Sequence, residues 1–143
     1  MIRPLLVSAF LLAGVTAVVA QSDAISERKK LFKEMAGAVK GPGQMLKGTE
    51  PFDLAKVKAG LGVVAANAAK LPKLFPEGSD KGDTDALPAI WKNKDDFVAR
   101  FAKLEKDATA AAAAIKDEAT FKAELPKVLG NCGGCHKEYK KPS

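Results

Sequence analysis

Apolar residues recur along most of this chain at alternating steps of three and four, the spacing that lines one face of an α-helix. Ile25, Arg28, Phe32, Met35 and Val39 form the first such line, with Arg28 as a charge on an otherwise apolar seam. Gly41, Pro42 and Gly43 follow and predict the end of that helix. The second line is Leu54, Val57, Leu61, Val64, Ala68 and Leu71, with Asp53 placed to cap its start and Pro72 to mark its end. The third is Phe97, Phe101, Leu104, Ala108, Ala111 and Ile115, and its alanine-rich stretch over 110–114 favours helix strongly. The fourth is Phe121, Leu125, Val128, Cys132, Cys135 and Tyr139, capped by Asp117. Both cysteines thus take core positions. Pro126 lies within this segment and predicts a kink, or a break just before it.

Residues 72–93 form a long connection in which Pro76, Gly78, Gly82 and Pro88 exclude regular structure through most of its length. Phe75 and Trp91 inside it predict that it packs over an end of the helices, and loops of this length tend to be functional or mobile. Little of the chain reads as strand. Four amphipathic helices, one long crossing and two short links predict an all-α antiparallel four-helix bundle.

The first twenty residues are a separate matter. Arg3 opens them, Leu5 through Val19 are almost uninterruptedly apolar, and Val18 and Ala20 precede the polar run Gln21-Ser22-Asp23. This is the pattern of a secretory signal peptide cleaved after Ala20. The apolar run is short for a membrane span, which needs about 20 residues. Residues 21–143 then form one domain, expected in the periplasm with no membrane attachment. The formal net charge is +6, and the lysines are interleaved with acidic residues. No dense basic stripe with aromatics appears, which argues against nucleic-acid binding. The balance supports a weak preference for acidic partners. No paired carboxylates or nucleophile–base pair appears either, so an enzyme is not expected.

The chemistry concentrates in Asn131-Cys132-Gly133-Gly134-Cys135-His136, which holds the only two cysteines and the only histidine of the chain. Cys-x-x-Cys-His is the attachment signature of c-type haem. Positions i and i+3 share a helix face, so both sulfurs can meet the vinyl groups on one side of a porphyrin. The next residue can supply an axial nitrogen to iron. Gly133 and Gly134 leave that surface clear. A Cys132–Cys135 disulfide would close a tiny loop and leave His136 unexplained. A thioredoxin-like pair would need a strand–helix–strand setting, and zinc would need a fourth ligand that the chain lacks. A haem-free redox or metal-binding bundle is the remote alternative.

The motif stands close to the C-terminus and is followed by Tyr139-Lys140. Glu27-Arg28-Lys29-Lys30-Leu31-Phe32-Lys33 lies in the first helix, and Pro51-Phe52-Asp53, Leu74-Phe75-Pro76-Glu77-Gly78-Ser79 and Ile90-Trp91 are further landmarks. In these features the mature chain resembles the class II c-type cytochromes, the cytochrome c′ family with its cytochrome c-556 branch. The resemblance implies one covalent haem c, held by Cys132 and Cys135 with His136 as axial ligand. It implies that Arg28 approaches a haem propionate and that Lys140 lies near the proximal face. It implies that Ser79 and Asp80 meet the haem edge, and that Lys29, Phe32 and Tyr139 border the cofactor. Phe32 stands where low-spin members carry a methionine ligand, which implies a five-coordinate iron open to nitric oxide or carbon monoxide. Met35, one turn on, is the alternative ligand for a six-coordinate electron carrier; Met45 is discounted as lying beyond the helix stop. Redox partner proteins are implied, and a homodimer through the first two helices is a further implication.

Overall fold

The computed structural model describes residues 13–142, and side chains from Ala20 onward. Four long helices, α1 (Ala13–Leu46), α2 (Leu54–Lys70), α4 (Lys94–Ala114) and α5 (Glu118–Tyr139), form the all-α bundle that the periodicity predicts, with a short α3 (Ala89–Lys92) in the crossing. Among the described residues the only strand-like pairing is an isolated bridge between Ala86 and Lys140. Most of the expected leader lies outside the described residues; its last part continues into α1.

The predicted seams are the core. Val57, Leu61, Val64 and Ala68 of α2, and Phe97, Phe101, Leu104, Ala108 and Ala111 of α4, are all buried. Phe121, Leu125, Val128 and Tyr139 do the same for α5. Asp53 caps α2 by accepting from the Lys56 amide at 3.0 Å. Asp117 caps α5 in a reciprocal box with Thr120, satisfying amides that a helix start leaves unpaired.

One expectation fails and two are narrowed. First, α1 does not stop at Gly41-Pro42-Gly43 but runs through Pro42 to Leu46. Its true end is a Schellman turn: Gly48 takes φ +75°, its amide donates to Met45 O at 3.0 Å, and the Thr49 amide reaches Gln44 O at 3.0 Å. Met45 is therefore inside the helix and buried. Pro42 cannot donate to the Ala38 carbonyl, and α2 packs against that very group. A Cβ on Gly60 would lie 2.5 Å from Ala38 O and 3.5 Å from Pro42 Cγ. The bare Gly60 Cα is what lets α2 pack onto that carbonyl. Second, of the kink or break expected at Pro126 the break does not occur: α5 continues through it, and Pro126 is exposed, so the Lys122 carbonyl it cannot serve remains near water. Third, the crossing is irregular through most of its length, as its composition predicts, and only its ends are regular, a 3-10 turn (Leu71–Leu74) and α3.

The close packing pairs are α1 with α2, α2 with α4, and α4 with α5, whereas among the described residues the backbones of α1 and α5 scarcely approach one another. Phe52 closes the far end of that open seam, its ring 5.2 Å from Phe121.

Gly60→Ala should destabilise the fold by about 1–3 kcal/mol, because overpacking outweighs the gain in helix propensity. Gly62, on the same helix with nothing near its absent Cβ, is the control. Gly62→Ala should be neutral or stabilising by up to about 1 kcal/mol. Urea unfolding of the two variants decides it.

Candidate functional site

The Cys-x-x-Cys-His turn is carried by the C-terminal half of α5, beside the open α1/α5 seam. Cys132 and Cys135 are half-buried rather than in the core, as unpaired thiols. Burial pushes both thiols up, and at Cys135 the Arg100 cation opposes this. His136 is exposed. Neighbouring protein atoms still pull its imidazole below the ordinary value, and the Lys140 cation adds to this. Phe32 and Val39 of α1 and Leu129 of α5 are likewise only partly covered, at the margin of the core. Apolar groups left half-covered along an unclosed seam fit an apolar insert, such as a porphyrin.

Arg28 gives a second test of fit. It is 2% exposed. Its Nη1 donates to Leu74 O at 3.2 Å and Ser79 Oγ at 2.9 Å, and its Nη2 to Ser79 O at 2.8 Å and Thr84 Oγ1 at 2.7 Å. The guanidinium carbon lies 4.4 Å from the centre of the Phe75 ring. All four acceptors are uncharged, and burial pulls the group below its ordinary value. Lys94 stands on the same ring at 5.8 Å and donates to Phe75 O at 2.7 Å. A buried cation with neutral partners favours an added anion, and a propionate has that chemistry. The hydrogen bonds of Nη1 and Nη2 all go to the crossing loop, which leaves the charge for such a group.

The other expected residues divide. Ser79 is fully buried and serves Arg28, while its own hydroxyl donates to Pro76 O at 2.8 Å. Asp80 is half-buried. Lys29 pairs with Asp83 at 2.6 Å on the surface. Tyr139 is buried, its ring edge-on to Phe97 at 5.2 Å. Lys140 is half-buried and its backbone bridges Ala86. Phe32 is half-buried with its ring 6.2 Å from Phe101; Met35, at 7% exposure, belongs to the protein core.

Residues that sequence reasoning passed over also converge here. Asp96 accepts from the Tyr139 hydroxyl at 2.5 Å and from Arg100 Nε at 2.7 Å. These two bonds hold the Asp96 carboxyl below its usual range. Desolvation and the Asp96 bond push the Tyr139 hydroxyl up to about 12. Asn131, just before the motif, donates to Asp107 Oδ2 at 2.9 Å. Asp96 and Arg100 stand one helical turn apart. That spacing hints only at a local ion pair, and nothing in it points to Tyr139.

The Cytochrome C′ family profile matches residues 23–140 of the chain. The chain belongs to that family. Cytochrome c′ of Rhodopseudomonas palustris is 45% identical over 135 residues, covering 94% of this chain and 92% of its own. Cytochrome c-556 of Agrobacterium fabrum is 39% identical over 117 residues, covering 81% and 80%. The solved cytochrome c′ of Rhodopseudomonas palustris superposes with a TM-score of 0.83 at 47% identity, covering 85% of this chain and 98% of that one. The cofactor of the family is covalently bound haem c, and this protein is a haem protein of that class.

Arg28→Met should leave Ser79 Oγ and Thr84 Oγ1 buried without their donor. Unfolding free energy should fall by about 2–4 kcal/mol, and protease cleavage should appear first within residues 76–85. Limited proteolysis read by mass spectrometry checks this; cleavage elsewhere with an intact crossing would refute it.

Proposed function

We propose that this chain is a periplasmic cytochrome with one haem, thioether-linked through Cys132 and Cys135 and ligated by His136, whose distal iron position is open. The observation that carries the reading is the contrast between two side chains of α1. Phe32 is half-covered at the margin of the core, and Met35 is already buried within it. A phenyl ring has no lone pair for iron, and the Met35 thioether is taken up as a filler of the core. When bound, haem supplies one-electron chemistry and an axial site for small ligands.

The chain's own residues govern what reaches that site. Phe32 excludes bulk and offers no hydrogen-bond donor, and the nearby Phe101 is equally apolar. Such a wall admits neutral diatomics such as nitric oxide and carbon monoxide and gives bound oxygen no polar support. A point variant of cytochrome c′ from Alcaligenes xylosoxidans, 27% identical with a TM-score of 0.74, has been solved as a nitric oxide complex, which favours this ligand class here. Electron exchange with redox partner proteins is the companion role. The leader expected over residues 1–20 supports export, and among the described residues no helix is long and apolar enough to cross a membrane.

Replacing Cys132 and Cys135 with Ala should leave haem extractable by acidified organic solvent; retention of covalent haem would place the links elsewhere. The open iron position is tested by optical spectra and carbon monoxide titration of the ferrous protein. The wild type should be high-spin and bind carbon monoxide. Phe32→Met should turn it towards low-spin and weaken carbon monoxide binding, because the gas must then displace an internal ligand. If the wild type is already low-spin and resists carbon monoxide, while Met35→Leu renders it high-spin, Met35 is the ligand and the protein is a six-coordinate carrier.

A further inference from the structure

Arg100 lies outside every residue expected at the site, yet it touches the haem-attachment turn. Its Nη1 donates to the Gly134 carbonyl at 3.1 Å, between the two cysteines. Its Nε is fixed by Asp96 Oδ2 at 2.7 Å. Its guanidinium carbon stands 5.4 Å from the centre of the Tyr139 ring. Tyr139 in turn donates to the same carboxylate oxygen, at 2.5 Å. An isolated i, i+4 pair on a helix surface contributes little. This pair differs because both members reach across to α5, on either side of Cys135 and His136.

The arrangement is a dipole with its positive end towards the motif. Arg100 is the member that touches the turn, at the Gly134 carbonyl, whereas Asp96 meets α5 at Tyr139, past the motif. The charge is also permanent, since an arginine does not titrate in the working range. We propose that Arg100, oriented by Asp96 and Tyr139, is a positioning residue that fixes the Cys132–His136 turn and biases the attached haem towards its ferrous form. A cation beside the macrocycle favours the oxidation state with one more electron. This inference rests on the reading that Cys135 carries a haem thioether.

The experiment is a spectroelectrochemical titration of four holoproteins: wild type, Arg100→Gln, Arg100→Lys and Asp96→Asn. Haem staining on denaturing gels and thermal melting are recorded for each. At fixed ambient potential, Arg100→Gln should lower the ferrous-to-ferric ratio roughly two- to tenfold, the range that Coulomb's law gives for one partly solvated charge. Asp96→Asn should raise the ratio, since it removes the opposing charge. Arg100→Lys should stay close to the wild type. All differences should shrink at about 1 M salt, where screening is short-ranged. Opposite signs for the two neutralising variants are the signature of tuning, because a merely structural role would loosen the turn alike in both. Shifts of the same sign, or none, in variants that carry covalent haem overturn the proposal and leave the haem reading intact. A wild type that does not stain for covalent haem overturns both.

Discussion

The buried guanidinium of Arg28 is the interaction on which the end of the bundle that carries the Cys-x-x-Cys-His turn depends. It gathers Leu74, Ser79 and Thr84 through four hydrogen bonds and lies on the face of Phe75. The crossing loop so held then pairs with the end of α5. The Leu87 amide donates to Tyr139 O at 3.0 Å, and the Lys141 amide to Asp85 O at 2.8 Å. The helices α1 and α5 are therefore joined through the loop and not by direct packing. A bundle can leave one seam open without collapsing only if something else fixes its width, and the Arg28–loop–Tyr139 bridge does so at this end. Phe52 on Phe121 does it at the other.

Burying a cation among neutral acceptors is costly unless every donor is matched. Here the match is made by carbonyls, hydroxyls and a ring face, so the site holds together while its charge stays uncompensated. Lys94 adds a second cation 5.8 Å from the centre of the same ring. Such a site can receive an anion without first breaking an ion pair. Arg100 contrasts with this: it is matched by Asp96 and its field is dipolar. One cation awaits a counter-charge, and the other already has one and acts through direction.

The legible parts of the sequence were those written in local periodicity and local capping. The seams of α2 and α4, and the caps Asp53 and Asp117, are where spacing and side-chain chemistry placed them. The end of α1 was not, because Gly41-Pro42-Gly43 is a stronger local breaker than Lys47-Gly48. Packing reversed that order: Gly60 covers the carbonyl that Pro42 leaves bare, and Gly48 supplies the turn. Leu31 and Asn67, off the predicted lines, are buried too, and Asn67 reaches the Leu31 carbonyl at 3.2 Å. At the site, the Cys-x-x-Cys-His turn and the anomaly of Arg28 on an apolar line were visible. The Asp96–Arg100–Tyr139 cluster was invisible. Its members meet only once α4 and α5 take their register, and no spacing along the chain encodes that.

The aromatic residues around the seam show how polarity is managed near the Cys-x-x-Cys-His turn. Phe75, Phe97 and Phe101 form a stepwise edge-on series at 4.7 Å and 5.1 Å, and Phe32 and Tyr139 join it at 6.2 Å and 5.2 Å. Two members of the wider cluster carry hydrogen-bond donors, and each is turned to a fixed acceptor. The Tyr139 hydroxyl goes to Asp96, and Trp91 Nε1 goes to Pro76 O at 2.9 Å. A hydroxyl so held, with its acidity suppressed, stays committed to Asp96. On the proposed reading that one hydrogen bond both occupies the phenol of the chain and orients Arg100, whose charge it keeps directed at the haem-bearing turn.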